Sequence, residues 1–406
     1  MRVLQICNKA PYPPNDGSSI AINNMGMGFI TNGIELHVLT INTKKHFKKD
    51  SEVPADYKQK ANYKSVFRDA DVKPFAAFMN LFSSQSYFVS RFYFKEFENT
   101  LIEKLKSNEF DVVQLEGLFV GNYIEVIRKY SKAKIVLRAH NVEYLIWERH
   151  LQNEKGGLKK WYLSLQAKKL KQFELNVLQK IDAIVSITNF DKAVFEKNIQ
   201  NFTKSKKPIY TCITGVDVNA YKVKASENKK PKSIFLFSSM DWMPNIEAAH
   251  WFLNNCWSDI IKTVPDCKLV IAGRNMPDSI LKLNLPNVQI IENVPDGKIF
   301  YNEHEIMLVP LLSGSGLRIK IIEGMAYGKA IVSTNIGAEG INIENGKNIL
   351  IADTAKDFNT AVISLLQDPQ KIKWLEQNAQ AFAETEFDNK KVVGKLINFY
   401  NELVNA

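Results

Sequence analysis

The sequence predicts an α/β protein made of two doubly wound parallel-sheet domains. Three observations predict it. Strand and helix patterns alternate through the first half of the chain. A lysine-rich polar stretch with Pro231 then interrupts the pattern over residues 222–232. A second series of short apolar strands begins directly after it. The 406 residues suffice for two domains of ordinary size, and 45% hydrophobic against 24% charged residues is a composition that buries full cores.

In the first series, apolar strand patterns fall at residues 3–6, 36–41, 111–115, 133–137 and 183–187, with helical periods at 97–105 and 123–130. Strands alternating with helices imply a parallel sheet covered on both faces, and right-handed crossovers then give a Rossmann-like domain. Residues 75–97 are crowded with aromatics, from Phe75, Phe78 and Phe82 to Phe97. They read as a packed helical insertion, the alternative being an apolar lip for a lipid-linked or aromatic acceptor. A strand at 209–213 precedes Thr214-Gly215-Val216-Asp217. The second series runs through 234–237, 268–272, 288–291, 306–309, 330–333 and 349–351, a second Rossmann-like domain. In the tail, Val392, Leu396, Phe399, Tyr400 and Leu403 have helical spacing.

The most informative segment is Ser313-Gly314-Ser315-Gly316-Leu317-Arg318-Ile319-Lys320-Ile321-Ile322-Glu323-Gly324-Met325-Ala326. It follows a buried strand. Gly314 and Gly316 permit a tight turn and close approach to a ligand, and a helix then starts with Leu317, Ile321, Ile322 and Met325 on its apolar face. A helix N-terminus favours phosphate, and Arg318 and Lys320 add two full charges. Glu323, about two turns in, is an acceptor suited to sugar hydroxyls. The run from Gly314 to Thr334 resembles the donor-site signature of retaining glycosyltransferases of the GT-B fold, the family 4 or group 1 class. The resemblance implies two Rossmann-like domains facing across a cleft. It also implies transfer of a sugar from a UDP- or GDP-linked donor, with retention, to a glycan, lipid-linked or other acceptor. It makes Glu323 the ribose ligand. A further family glutamate falls at Ser315, and its loss motivates a second reading, a catalytically weak nucleotide-sugar-binding partner in a glycan-assembly complex.

The resemblance extends to other residues. Thr214-Gly215-Val216-Asp217 is similar to the family's interdomain turn. The domains are then 1–213, completed by a last helix at 388–406, and 214–387. Arg138-Ala139-His140-Asn141-Val142-Glu143 is similar to the family's His-Asn-x-Glu stretch. It follows a buried strand, where ligands of open parallel sheets bind. His140 is therefore a candidate catalytic residue with Arg318 and Lys320. Glu143 is an acceptor-side candidate that orients His140 or caps the next helix, with capping preferred. Glu116, after another strand, is a second acceptor-side candidate or a surface acid in a loop. Gly17 and Ser18, after the proline-rich first turn, are donor-binding candidates. So are Asp241 and Asn245 after the first strand of the second domain, Arg274 at the next strand end, and Val294 in a loop similar to the family's base-binding loop.

Other classes are excluded or demoted. Gly-x-Gly-x-x-Gly is absent, which counts against a dinucleotide-dependent dehydrogenase. Asp69-Ala70-Asp71 matches a metal-binding transferase pattern, but no strand pattern precedes it, and it reads as a solvated loop. No metal or cofactor is expected; cations and a helix end would do a metal's work. The four cysteines have no metal-ligand spacing, and a reducing, cytoplasmic setting follows. Net charge +10 permits contact with an anionic membrane face. The basic-aromatic run 155–173 and the loop 44–49 are candidates for it, although packing and solvation are the preferred readings. No nucleic-acid module is present.

Overall fold

A computed structural model describes the chain apart from residues 15–16, 45–46, 48, 155, 203–205, 222–229 and 315–316. Most of the polar linker, parts of the 44–49 and 155–173 segments, and the candidates Ser315 and Gly316 therefore lie outside the described residues. The chain forms two compact units, Met1–Gly215 with Asn389–Ala406, and Val216–Asp388.

The first unit holds a seven-stranded parallel sheet in the order β3-β2-β1-β4-β5-β6-β7. Its strands are β1 Arg2–Cys7, β2 Glu35–Thr43, β3 Lys64–Arg68, β4 Val112–Glu116, β5 Lys134–Ala139, β6 Ala183–Ser186 and β7 Ile209–Thr211. Both faces are covered, so the central strands are apolar on both sides. Leu4, Ile6, Val113 and Leu115 pack into one core, while their neighbours Val3 and Val112 pack into the other. β3 is absent from the sequence reading because only Val66 of its five residues is buried. An edge strand with charged ends has no apolar run to reveal it. Because β3 ends at Arg68, the Asp69-Ala70-Asp71 segment does follow a strand. Lys73 and Lys44 pair with its two carboxylates at 3.3 Å each.

Helix α1, Gly17–Thr31, follows β1. The aromatic insertion is only partly packed. Tyr87, Phe92, Phe94 and Phe97 are buried, but α2, Pro74–Met79, leaves Phe75 and Phe78 exposed. Helix α3, Lys95–Ser107, precedes β4; α4, Glu143–Asn153, and the long α5, Gly157–Lys180, lie between β5 and β6.

In the second unit, β8 Ser233–Ser239, β9 Lys268–Arg274, β10 Val288–Glu292, β11 Ile306–Val309, β12 Ala330–Ser333 and β13 Leu350–Ile351 form a parallel sheet in the order β10-β9-β8-β11-β12-β13. Helix α6, Met243–Phe252, follows β8, and α7, Ile319–Ala326, follows β11. The sequence places the start of α7 two residues too early, so Glu323 lies just over one turn in.

The last helix, α8, Asn389–Asn405, belongs to the first unit. It packs on α1 at Gly28, where a Cβ would come within 2.3 Å of Val393 Cγ2. Tyr400 stacks on Phe29 and donates its hydroxyl proton to Gln114 in β4.

Candidate functional site

All strands within each sheet are parallel, so their C-terminal ends share one edge. The candidate residues gather there as one cluster in each unit.

In the second unit, the N-termini of α6 and α7 converge. Trp242, the residue before α6, lays its indole under the Arg318 guanidinium, with 4.9 Å from Cζ to the ring centroid. Lys320 Nζ donates to Asn245 Oδ1 at 2.7 Å, and Asn245 Nδ2 donates to the Ser239 carbonyl at 2.6 Å. A neutral amide thus holds the lysine where a carboxylate would have cancelled its charge. Burial, then the neighbouring charge of Arg318, pushes the Lys320 pKa down to about 7. Burial likewise depresses Arg318, with Glu339 opposing. The arrangement is a pair of partly desolvated cations in one helical turn, chemistry that receives an anion.

Gly314 sets the approach to this pair. Its φ is +106°, a region that favours glycine, and an added Cβ would lie 2.6 Å from Trp242 and 3.0 Å from Arg318. Gly314→Ala therefore combines backbone strain of about 1–3 kcal/mol with displacement of the indole. A thermal melt of the variant should show Tm lowered by roughly 2–10 °C.

Glu323 sits one turn beyond Lys320. Tyr221 donates its hydroxyl to Glu323 Oε1 at 3.2 Å. Tyr221 meets Tyr327 edge-on at 4.7 Å, and Tyr327 stacks on Tyr301 at 4.4 Å. Burial raises the Glu323 carboxyl to about 7, against the pull of the Tyr221 hydrogen bond. Neither Trp242 nor Tyr221 was singled out from sequence. A tryptophan at a strand-to-helix turn is a usable signal; nothing local ties Tyr221 to a residue 102 positions away.

Asp241 and Arg274 meet through Ser239, whose hydroxyl donates to Asp241 and accepts from Arg274 Nε at 2.9 Å. They brace the ends of β8 and β9. Leu317 is half-buried before α7, and Val294 lies beyond the edge strand β10.

In the first unit, Glu116 is the last residue of β4 and is fully buried, which corrects the surface-acid reading. Its Oε2 takes Arg138 Nη1 at 2.9 Å and His140 Nε2 at 2.7 Å; its Oε1 takes Gln5 Nε2 at 2.6 Å and Gln114 Nε2 at 2.5 Å. Burial alone would favour the neutral acid. The Arg138 charge and the hydrogen bonds outweigh it and hold the carboxyl at about 2. An ionised carboxylate only accepts, so His140 Nε2 carries its proton toward Glu116. Nδ1 is left for other chemistry, on a side chain 14% exposed. Arg138 also reaches the Ala21 carbonyl at 3.3 Å, one turn into α1 from exposed Gly17 and Ser18.

Glu143 does not act as the cap. It is the first residue of α4, and Glu174 of α5 caps that helix instead, accepting from the Glu143 and Tyr144 amides at 3.2 and 3.1 Å. A capping carboxylate from 31 residues away leaves no local sequence signature. Burial pushes Glu143 up to about 7; burial and then repulsion from Glu143 push Glu174 up to about 8.

Residues 231–368 match the family model described as glycosyl transferases group 1. A 44.6 kDa protein of the cps region of Klebsiella pneumoniae is 25% identical over 308 residues, covering 73% of this chain and 76% of that protein. Sucrose-phosphate synthase from Thermosynechococcus elongatus shares the architecture at a TM-score of 0.69 and 13% identity, covering 99% of each chain. HepE of Anabaena, solved with UDP-glucose, does so at 0.62 and 12%, covering 98% and 99%. With a group 1 domain over the anion-receiving cluster and two parallel-sheet units in this architecture, the protein is a glycosyltransferase of the GT-B fold.

Proposed function

We propose that the enzyme transfers a sugar from a nucleoside diphosphate sugar, with retention of anomeric configuration. The observation that carries this is the Arg318–Lys320 pair, two desolvated cations set on an indole and an amide at the start of α7. As the bond from sugar to diphosphate breaks, negative charge grows on the leaving phosphate. Fixed cations in a partly dry site stabilise that charge more in the transition state than in the ground state. UDP-glucose in the structure of Anabaena HepE, which shares the fold, supports a uridine nucleotide as the first donor to test.

Glu323 holds the ribose hydroxyls in this reading. Ribose is remote from the breaking bond, so its contribution is uniform binding. Glu323→Gln should raise the donor KM by about 10- to 100-fold, the worth of one or two hydrogen bonds to a charged group, while kcat changes little. A fall in kcat with unchanged KM would remove Glu323 from the ribose. His140 offers Nδ1 to a hydroxyl of the transferred sugar or of the acceptor, and Glu116 is its positioning residue.

The decisive experiment is a thermal-shift screen of UDP- and GDP-sugars, followed by transfer or slow hydrolysis with the donor that binds. Proton NMR of the product gives the anomeric configuration. Binding without turnover would reduce the protein to a nucleotide-sugar carrier, and an inverted product would overturn retention.

A further inference from the structure

We infer that α2 and the first turns of α5 form a docking face for an anionic lipid bilayer. Six large apolar side chains are exposed on α2 with the turn Asn80–Phe82 that continues it, and on the start of α5: Phe75 at 77%, Phe78 at 56%, Met79 at 51%, Phe82 at 79%, Leu158 at 87% and Trp161 at 59%. Isolated exposed hydrophobics are ordinary on a protein surface; six on two adjoining segments are not.

Hydrogen bonds fix how the segments adjoin. Tyr162 donates its hydroxyl to the Ala77 carbonyl at 3.5 Å. Gln166 Nε2 donates to Asn80 Oδ1 at 3.1 Å, and Lys169 Nζ reaches the Asn80 carbonyl at 3.0 Å. Residues 77 and 80 thus lie level with 162 and 166–169, and the segments run in the same direction. That register brings α2, which carries Phe75 and Phe78, to the first turns of α5, which carry Leu158 and Trp161, with Phe82 in the short turn Asn80–Phe82 that follows α2. The polar groups between the segments anchor α2 to α5, while the aromatic rings of α2 face water.

The charge pattern selects the occupant. No acidic residue occurs between Asp71 and Glu96, nor between Glu154 and Glu174. Within those limits lie Lys73, Lys159, Lys160, Lys168, Lys169 and Lys171. Lys73, Lys159 and Lys171 pair with Asp69, Glu154 and Glu148 at the margins of the face, and Lys160 and Lys168 supply its excess positive charge. Aromatic and aliphatic groups interleaved with lysines of one sign match the headgroup–acyl boundary of an anionic membrane. There rings enter the interface and ammonium groups reach phosphates. A symmetric contact with a second copy would set lysine against lysine. Among the described residues, no helix is long and apolar enough to cross a membrane, so the docking is peripheral. The inference does not rest on the sugar-transfer reading.

The test is co-sedimentation of the full chain with vesicles of phosphatidylcholine alone and with about a third phosphatidylglycerol. The wild type should pellet with the anionic vesicles and be released by high salt. Quenching of tryptophan emission by brominated lipid should disappear in Trp161→Phe. Phe75→Ser with Leu158→Ser and Trp161→Ser should lower vesicle binding at least tenfold at an unchanged Tm, because all three side chains are exposed; Lys159→Glu with Lys160→Glu should do the same. Equal recovery of wild type from both vesicle types would overturn the inference. So would a dimer in light scattering that the triple variant dissociates, since the face would then belong to a second copy.

Discussion

Lys320→Ala should abolish most sugar transfer, by on the order of 10²–10³ in kcat, the loss seen when one fixed donor to developing charge is removed. The melting temperature should not fall. The folded-state pKa of about 7 lies below the ordinary lysine value of 10.5. The unfolded chain therefore binds the proton more tightly between pH 7 and 10.5, and stability rises with pH across that window. At neutral pH the ammonium opposes folding, so its removal is neutral or stabilising. Unaltered turnover would overturn the diphosphate role.

The same two pKa values give donor affinity a pH signature. A bound diphosphate favours the ammonium form of Lys320, so the complex takes up a proton, and affinity should fall as pH rises above about 7. Glu323, also near 7, loses its carboxylate as pH falls, and with it the stronger acceptor for ribose hydroxyls. UDP affinity should therefore be bell-shaped with its maximum near neutrality. Lys320→Arg should flatten the alkaline limb, because a guanidinium stays charged throughout. Glu323→Gln should flatten the acid limb. Titrations in buffers of different ionisation enthalpy read the proton uptake directly.

Glu116→Gln should be the most destabilising single change considered. It leaves the Arg138 guanidinium fully buried without its counter-charge, at a cost of about 3–5 kcal/mol. For a folding unit the size of the first one, each kcal/mol is worth roughly 2–4 °C, so its Tm should fall by about 10 °C. The sign of the pH dependence follows from the depressed carboxyl. Its folded pKa of about 2 is below the ordinary 4.5, so the stabilisation is complete above pH 4.5 and lost as pH falls toward 2. The Tm difference between wild type and variant should close across that interval. The variant also frees His140 from the tautomer that Glu116 imposes. Transfer should fall while UDP affinity holds, because Glu116 and the Arg318–Lys320 pair belong to different units. A variant as stable as wild type at pH 7 would show that the Arg138–Glu116 pair contributes nothing net.

The architecture was legible because a buried parallel strand is an apolar run and a covering helix is a 3.6-residue period, both local in sequence. β3 escaped because an edge strand buries one residue of five. Gly314, Arg318, Lys320 and Glu323 were legible because one strand–turn–helix carries them all within ten residues. Their partners were not. Trp242 under Arg318, Asn245 on Lys320 and Tyr221 on Glu323 come from other elements, and only the folding of the sheet brings them there.

By itself, then, the sequence determined two α/β domains, the strand-end positions where chemistry gathers, and a glycine turn followed by cations and a carboxyl. The tertiary structure alone decided which of these charges are dry and which wet. By sequence Glu116 is an acceptor-side candidate or a surface loop acid, but Arg138, two glutamines and His140 close around it in the core. Phe75 and Trp161 read as packing residues, yet they stand in solvent. The reason is range: periodicity is set by neighbours along the chain, whereas burial, and with it pKa, is set by groups on other elements, 22 residues away for Arg138 on Glu116 and 111 for Gln5.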